Sequence, residues 1–270
     1  EPTIPGILMN HIECVVFDWA GTTVDFGSLS PVSAFREAFR AYGVEVTEAE
    51  TRAPMGMLKI DHIRTMLAMP DVAARFEAAF GRAPTDADAH AVYAKFEPAL
   101  MAVLDRHCDL KPGLLECVAE LRAMGLRIGS TTGFTRKMMD VVEPAAARAG
   151  YAPDAVVTAE DVGGKGRPWP FMVFKAMRLL EVASVGAVMK VGDTVSDVKE
   201  GLAAGAFTVG ITDGSSVMGL SRAEWEALDD ASRARHRERT AQVFRDAGAH
   251  AVIRDLTELP ALVRQLSGRG

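Results

Sequence analysis

Ile12-Glu13-Cys14-Val15-Val16-Phe17-Asp18 is followed by Trp19-Ala20-Gly21-Thr22-Thr23. The apolar part of this stretch runs without polar alternation, the pattern of a strand covered on both faces, as strands of parallel sheets are. It ends in a carboxylate and a glycine-containing turn. Ligands of open parallel sheets bind beyond the carboxyl ends of the strands, so this strand delivers Asp18 to a functional edge.

Working outward, the chain from Phe26 to about Leu104 reads as helical without a convincing strand. Ser30-Pro31 opens a helix that Gly43 stops, and Thr47 with Glu50 has the spacing of a capping box for a short second one. Pro54 is expected to open a third, MGMLKIDHIRTMLAM, ending near Pro70; two more are expected, from Val72 to Phe80 and from Asp86 to about Arg106. After Pro112-Gly113 strands and helices alternate. The strands are LRIGSTT, AVVT, AVMKVGD, FTVGI and AVI. The helices run over Leu114 to Met124, from near Thr135 and from near Pro170, over Val195 to Ala204, between Ser221 and Ala247, and from Glu258. That alternation predicts an α/β fold, a doubly wound, Rossmann-like parallel sheet core, with an all-helical cap inserted after the first strand. The expected division is residues 1–25 and 105–270 for the core and 26–104 for the cap.

The composition narrows the class. With 270 residues, 49% of them apolar, the chain has enough material for a full core. A net charge of -6 argues against a nucleic-acid partner, which needs a basic surface. No apolar run approaches the roughly 20 residues of a membrane helix, and Glu1 to Asn10 lacks the pattern of a signal peptide, so a cytoplasmic protein is expected. Cys14, Cys108 and Cys117 are three in number and lack CxxC spacing, which indicates neither a disulfide framework nor a zinc site.

Four strand ends carry groups suited to a single phosphoryl site: Asp18, Thr132, the loop with Lys165 and Arg167, and Asp193 with Asp197. Each alone reads equally well as a turn former, a cap or a solvated charge. Together they point to one anion-binding and metal-binding edge. The segments FDWAGTT, LRIGSTTG, GRPWP and VGDTVSD resemble, in order, the four motifs of the haloacid dehalogenase superfamily. The resemblance implies an aspartyl-phosphate route with Asp18 as nucleophile, Thr132 and the Gly133 amide on the phosphoryl oxygens, and Arg167 as counter-charge. It also implies Mg²⁺ held by Asp18, Asp193 and the Ala20 carbonyl, with Asp197 orienting a metal-bound water. A hard cation suits such carboxylates, and both it and Arg167 offset the repulsion between Asp18 and an anionic substrate. Lys165 competes with Arg167 for the counter-charge; Arg167 is preferred because R-P-W-P leads directly into the next helix.

Position 20 departs from the superfamily's phosphatases and phosphomutases, which usually carry there an Asp that protonates the leaving oxygen. Alanine transfers no protons. The helical segment supplies an alternative in Pro54-Met55-Gly56-Met57-Leu58-Lys59-Ile60-Asp61-His62, where helical spacing would put Met55, Lys59 and His62 on one face. Met55 and Met57 offer apolar surroundings that favour a free Lys59 amine, and His62 a group to move a proton or order a water. Expelling carbon from phosphorus requires an electron sink, which a lysine imine provides.

FDWAGTTVD, PMGMLKIDH, GSTTG, GRPWP and KVGDTVSDVKEG resemble the phosphonoacetaldehyde hydrolase family over almost the whole chain. Phe134, where that family is expected to have tyrosine, and a longer GGKGRP loop are departures. The resemblance implies hydrolysis of a phosphonate through a Lys59 Schiff base in 2-aminoethylphosphonate degradation, by a homodimer. A phosphatase or phosphomutase of the superfamily, and a silent phosphate-binding protein, are the alternatives.

Overall fold

The computed structural model describes residues 11–268; Glu1 to Asn10, and with them the expectation about a signal peptide, lie outside the described residues. Six strands form one parallel sheet in the order β3-β2-β1-β4-β5-β6: β1 (Cys14–Phe17), β2 (Arg127–Thr131), β3 (Ala155–Val157), β4 (Val188–Gly192), β5 (Phe207–Ile211) and β6 (Ala251–Ile253). This is the doubly wound order, and the direction of winding reverses between β1 and β4. The carboxyl ends of those two strands lead into Asp18 and Asp193. The expected position of the functional edge is therefore the position of the topological switch.

The strands are buried on both faces, as the uninterrupted apolar run at residues 14–17 requires. Val15 and Phe17 point into one apolar cluster with Ile128 and Val191, while Cys14 and Val16 join another with Val157, Val173 and Ala176. Successive side chains of a strand face opposite ways, so four residues serve both layers.

Six α-helices lie between β1 and β2, and the first five form the insertion: α1 (Leu29–Tyr42), α2 (Glu48–Arg52), α3 (Lys59–Leu67), α4 (Pro70–Phe80) and α5 (Asp86–Met101). They pack on one another through Phe35, whose ring stacks on Phe96 at 4.1 Å and on His62 at 3.9 Å. The local signals hold: Gly43 ends α1 in the left-handed conformation, and Thr47 and Glu50 form both halves of a capping box. The remaining helices are α6 (Leu114–Ala123), α7 (Arg136–Arg148), α8 (Phe171–Leu179), α9 (Val195–Ala204), α10 (Arg222–Ala227), α11 (Asp230–Asp246) and α12 (Leu259–Ser267).

The helix expected from Pro54 is corrected. Residues 53–57 are a turn, and α3 begins only at Lys59. Gly56 adopts φ +89, a conformation that breaks a helix, and Leu58 is extended. Met55 therefore does not sit one helical turn before Lys59. Among the described residues no helix is long and apolar enough to cross a membrane.

Candidate active site

Asp18, one residue past β1, is 5% exposed. Its Oδ1 accepts a hydrogen bond from Arg167 Nη2 at 2.7 Å. Arg167 lies in the loop between β3 and α8 and is fully enclosed. Its Nε donates to Glu200 Oε2 at 2.9 Å, its Nη1 to the Gly56 carbonyl at 3.1 Å and its Nη2 to the Thr131 carbonyl at 2.8 Å. Of the two cations of this loop, Arg167 lies against Asp18, whereas Lys165 is exposed with its Nζ 5.7 Å from the Phe171 ring centroid. Burial works against a charged Arg167, but Asp197, Asp18 and Glu200 surround it and keep it firmly cationic.

Asp193 follows β4 directly. It accepts Thr22 Oγ1 at 3.0 Å and the Ser216 amide at 2.7 Å. Asp197 caps α9 on Thr194, with Oδ2 2.6 Å from Thr194 Oγ1, and turns Oδ1 to Lys190 at 2.8 Å and Arg167 at 3.1 Å. Asp18, Asp193 and Asp197 each bring one oxygen within 4.8 Å of the others, all buried. Burial and the Asp18 and Asp197 charges push the Asp193 carboxyl well above its usual range; burial and Asp197 also raise Asp18, against Arg167 and Lys190. A divalent cation relieves this repulsion, so the donor set fits a hard, oxygen-ligated metal ion. Asp197, despite burial, is held low by Arg167 and Lys190, and with both oxygens already engaged it stands behind the other two. The turn that follows Asp18 is built for close approach to Asp193. Gly21 has φ +88, and a Cβ there would fall 2.0 Å from Asp193 Oδ2.

Thr132 and Gly133 follow β2, the Thr132 hydroxyl accepting the Phe134 amide at 3.0 Å. A Cβ on Gly133 would sit 2.5 Å from the Met57 carbonyl and 2.7 Å from that of Gly56. The glycine thus lets the 54–58 turn of the helical insertion press onto the sheet edge. Lys59 enters with that turn. A cavity of about 20 Å³ is lined by Asp18, Ala20, Thr132, Gly133 and Arg167 from the sheet side and by Met55, Gly56 and Lys59 from the insertion. It has room for roughly a single water.

Lys59 is 3% exposed, and its Nζ lies 4.8 Å from the Phe134 ring centroid and 5.8 Å from that of Phe35. Burial lowers its pKa to about 8, with the Asp18 charge opposing part of that effect. Phe134 presents an aromatic face to the amine, as the tyrosine expected there also would, and lacks only the hydroxyl. Met55 and Lys59 line the same cavity from separate pieces of backbone, while the Met57 sulfur accepts from Thr65 at 3.7 Å. His62 is outside the lining. Its Nε2 is 2.9 Å from the Thr51 carbonyl, its Nδ1 is buried without a partner, and burial and Lys59 hold its pKa well below the usual value.

Several residues of this edge were not picked out from the sequence. Glu200 binds Arg167 and also accepts Thr131 Oγ1 at 2.9 Å, and Lys190 bonds Asp197. Lys111 donates to the Gly21 carbonyl at 2.8 Å and to the Asp213 carbonyl at 2.5 Å, tying the turn after β1 to the loop after β5. Signals existed for two of them. Lys190 interrupts the apolar run of β4, and Glu200 falls three residues after Asp197 on α9, hence on the same helix face.

The family model described as haloacid dehalogenase-like hydrolase matches residues 12–205. A phosphonoacetaldehyde hydrolase of Bacillus cereus (strain AH187) is 46% identical over 255 residues, 94% of this chain and 96% of that protein. A bifunctional phosphonoacetaldehyde hydrolase/aminoethylphosphonate transaminase of Clostridioides difficile (strain 630) is 46% identical over 248 residues, 92% of this chain; the match spans only 39% of that longer protein. The crystal structure of a phosphonoacetaldehyde hydrolase-like protein from Oleispira antarctica superposes with a TM-score of 0.93 at 37% identity, covering 100% of this chain and 97% of the other. The chain therefore belongs to the haloacid dehalogenase-like hydrolases and, among them, to the phosphonoacetaldehyde hydrolase family.

Proposed function

We propose that this protein cleaves the carbon–phosphorus bond of phosphonoacetaldehyde, releasing acetaldehyde and phosphate. The observation that carries the reading is the convergence of Lys59 from the helical insertion and Asp18 from the sheet on one small cavity, beside an alanine at position 20. A phosphatase needs an acid at that position and has no use for an enclosed amine. An enzyme that must hold electrons on carbon needs the amine and can dispense with the acid.

The residues divide the work as follows. Residues 26–104 act as a cap over a core of residues 1–25 and 105–270, and opening of the cap admits substrate, because about 20 Å³ holds none. The Lys59 amine condenses with the aldehyde to give an imine and water. Arg167, Thr132 and the Gly133 amide hold the phosphonyl oxygens, and Asp18 attacks phosphorus in line with the departing carbon. The C–P electrons pass into the iminium to give an enamine. Protonation of its carbon and hydrolysis of the imine free acetaldehyde and Lys59, and water cleaves the aspartyl-phosphate to phosphate and Asp18. Asp18, Asp193 and the Ala20 carbonyl would hold Mg²⁺, with Asp197 behind them orienting a bound water; when bound, the ion supplies positive charge against the phosphonyl and carboxylate oxygens. Met55 keeps water from the amine, and neutral His62 offers its Nδ1 as an acceptor to a water on the Lys59 side.

The name of the Clostridioides relative, which joins this hydrolase activity to an aminoethylphosphonate transaminase, supports a place in 2-aminoethylphosphonate degradation. A cytoplasmic homodimer completes the reading, its stoichiometry open to sedimentation analysis. Borohydride reduction with phosphonoacetaldehyde tests the chemistry: a stable two-carbon adduct forms on Lys59, and Lys59→Ala loses both adduct and phosphate release. Full phosphate release by Lys59→Ala would exclude the imine route.

A further inference from the structure

A cleft of about 470 Å³ adjoins the catalytic cavity and shares two of its wall residues, Met55 and Thr194. Its sides come from α2, through Arg52, from the loop after β5, through Val217 and Gly219, and from α11, through Arg239. Another cleft, of about 260 Å³, borders Leu58 and Thr135. That one includes Glu160, has no lysine or arginine in its wall, and shares no residue with the catalytic cavity. The larger cleft also includes Glu48, which pairs with Arg52, so its unbalanced charge is Arg239; the two clefts differ both in continuity with Asp18 and in that one cation.

The two arginines of the larger cleft are unequal. Arg52 is engaged: its Nε bonds Glu48 at 2.7 Å and its Nη1 the Gly27 carbonyl at 2.9 Å. On α11, Arg237 is held by Asp213 and Arg245 by Glu238. Arg239 is exposed and, among the described residues, has no hydrogen-bond or ion-pair partner. A cation free of any carboxylate keeps its full field for an incoming anion.

We propose that this cleft is the antechamber through which the phosphonate dianion reaches Asp18, that Arg239 is its capture residue, and that Met55, an unbranched and adaptable side chain, is the movable partition. The inference rests on the substrate reading given above. It adds the side of approach and the residue that selects for charge before any contact with Arg167. A unit charge acting on a dianion across roughly 10 Å of water enriches it about four-fold without screening; at 1 M salt the effect vanishes.

The test is phosphate release from phosphonoacetaldehyde at two ionic strengths by the wild-type protein, Arg239→Glu and Arg235→Glu. Arg235 is exposed on the same helix, outside the cleft, and its substitution changes net charge identically. The expected result is a kcat/KM for Arg239→Glu lowered roughly five- to fifteen-fold at 10 mM salt and within about two-fold of wild type at 1 M, with kcat retained. Arg235→Glu, one helical turn farther off, falls by no more than about three-fold at 10 mM salt and stays within about two-fold of wild type at 1 M. Equal values for Arg239→Glu and wild type at low salt, or equal losses in the two variants, would overturn the antechamber while leaving the hydrolase reading intact. A wild-type protein that released no phosphate would overturn both.

Discussion

Asp18→Asn separates imine formation from phosphorus chemistry, because an amide cannot attack phosphorus but leaves Lys59 and the aldehyde site in place. In the wild-type protein, burial brings the Lys59 pKa from 10.5 to about 8, and Asp18 is the largest influence in the opposite direction. At pH 7 a pKa of about 8 leaves about a tenth of the lysine as free amine, against roughly one part in three thousand for an unperturbed side chain. The site thus enriches the reactive form by about 300-fold. Cyanoborohydride trapping of the phosphonoacetaldehyde adduct, followed by mass spectrometry between pH 6 and pH 10, reads that fraction directly. The wild-type trapping rate should rise with pH through a midpoint near 8. Removing the Asp18 charge favours the neutral amine further, so the Asp18→Asn midpoint should lie lower. Mg²⁺ beside Asp18 and Asp193 acts in the same direction, so the wild-type midpoint should fall when the ion is added to protein stripped with chelator. A midpoint near 10.5 in both proteins, or an adduct on a lysine other than 59, would refute the account of how the amine is activated.

Three further outcomes are expected. Lys59→Met should stabilise the protein: the folded-state pKa lies below the unfolded one, so burying the cation costs about 3 kcal/mol at pH values below about 8, a cost that fades between about 8 and 10.5. Thermal melts at pH 7 should show a gain of several degrees, and no gain near pH 10.5. Gly21→Ala should weaken Mg²⁺ binding by about ten-fold or more in calorimetric titration, since its Cβ would fall 2.0 Å from Asp193 Oδ2 at a φ of +88; undiminished affinity would count against Asp193 as a ligand. Gly56→Ala strains a φ of +89 and brings a Cβ 2.4 Å from Thr194 Oγ1, displacing the turn that carries the carbonyl bonded to Arg167. Steady-state phosphate release should show KM raised about five-fold or more, and an unchanged KM would argue against closure of that turn as part of binding.

Much of the architecture was legible because it depends on local periodicity. The apolar runs at residues 14–17 and 207–211, the Thr47–Glu50 capping box and the span of α9 at Val195–Ala204 are set by neighbours in sequence, and they stand where pattern reading puts them. The segment from Pro54 departs from its local pattern for the same reason. Proline at a first helical position is a local signal, but the left-handed Gly56 that cancels it is held by Thr194 and by Arg167, which are remote in the chain. The roles of Glu200 and Lys190 are not legible in the sequence, because a charge in a helix or strand looks solvated until the partner that neutralises it is known.

The chain's sequence by itself determined a parallel sheet with Asp18 at the end of its first strand, a helical insertion after it, and a lysine with no neighbouring acid at position 20. Only the tertiary structure decided that Arg167 rather than Lys165 faces Asp18, that Asp193 and Asp197 crowd that carboxylate closely enough to call for a cation, and that Lys59 is enclosed against aromatic rings. The physical reason is the range of the forces concerned. Strand and helix patterning is read within a few residues, whereas desolvation and charge pairing depend on which distant segments the sheet order brings within a few ångströms.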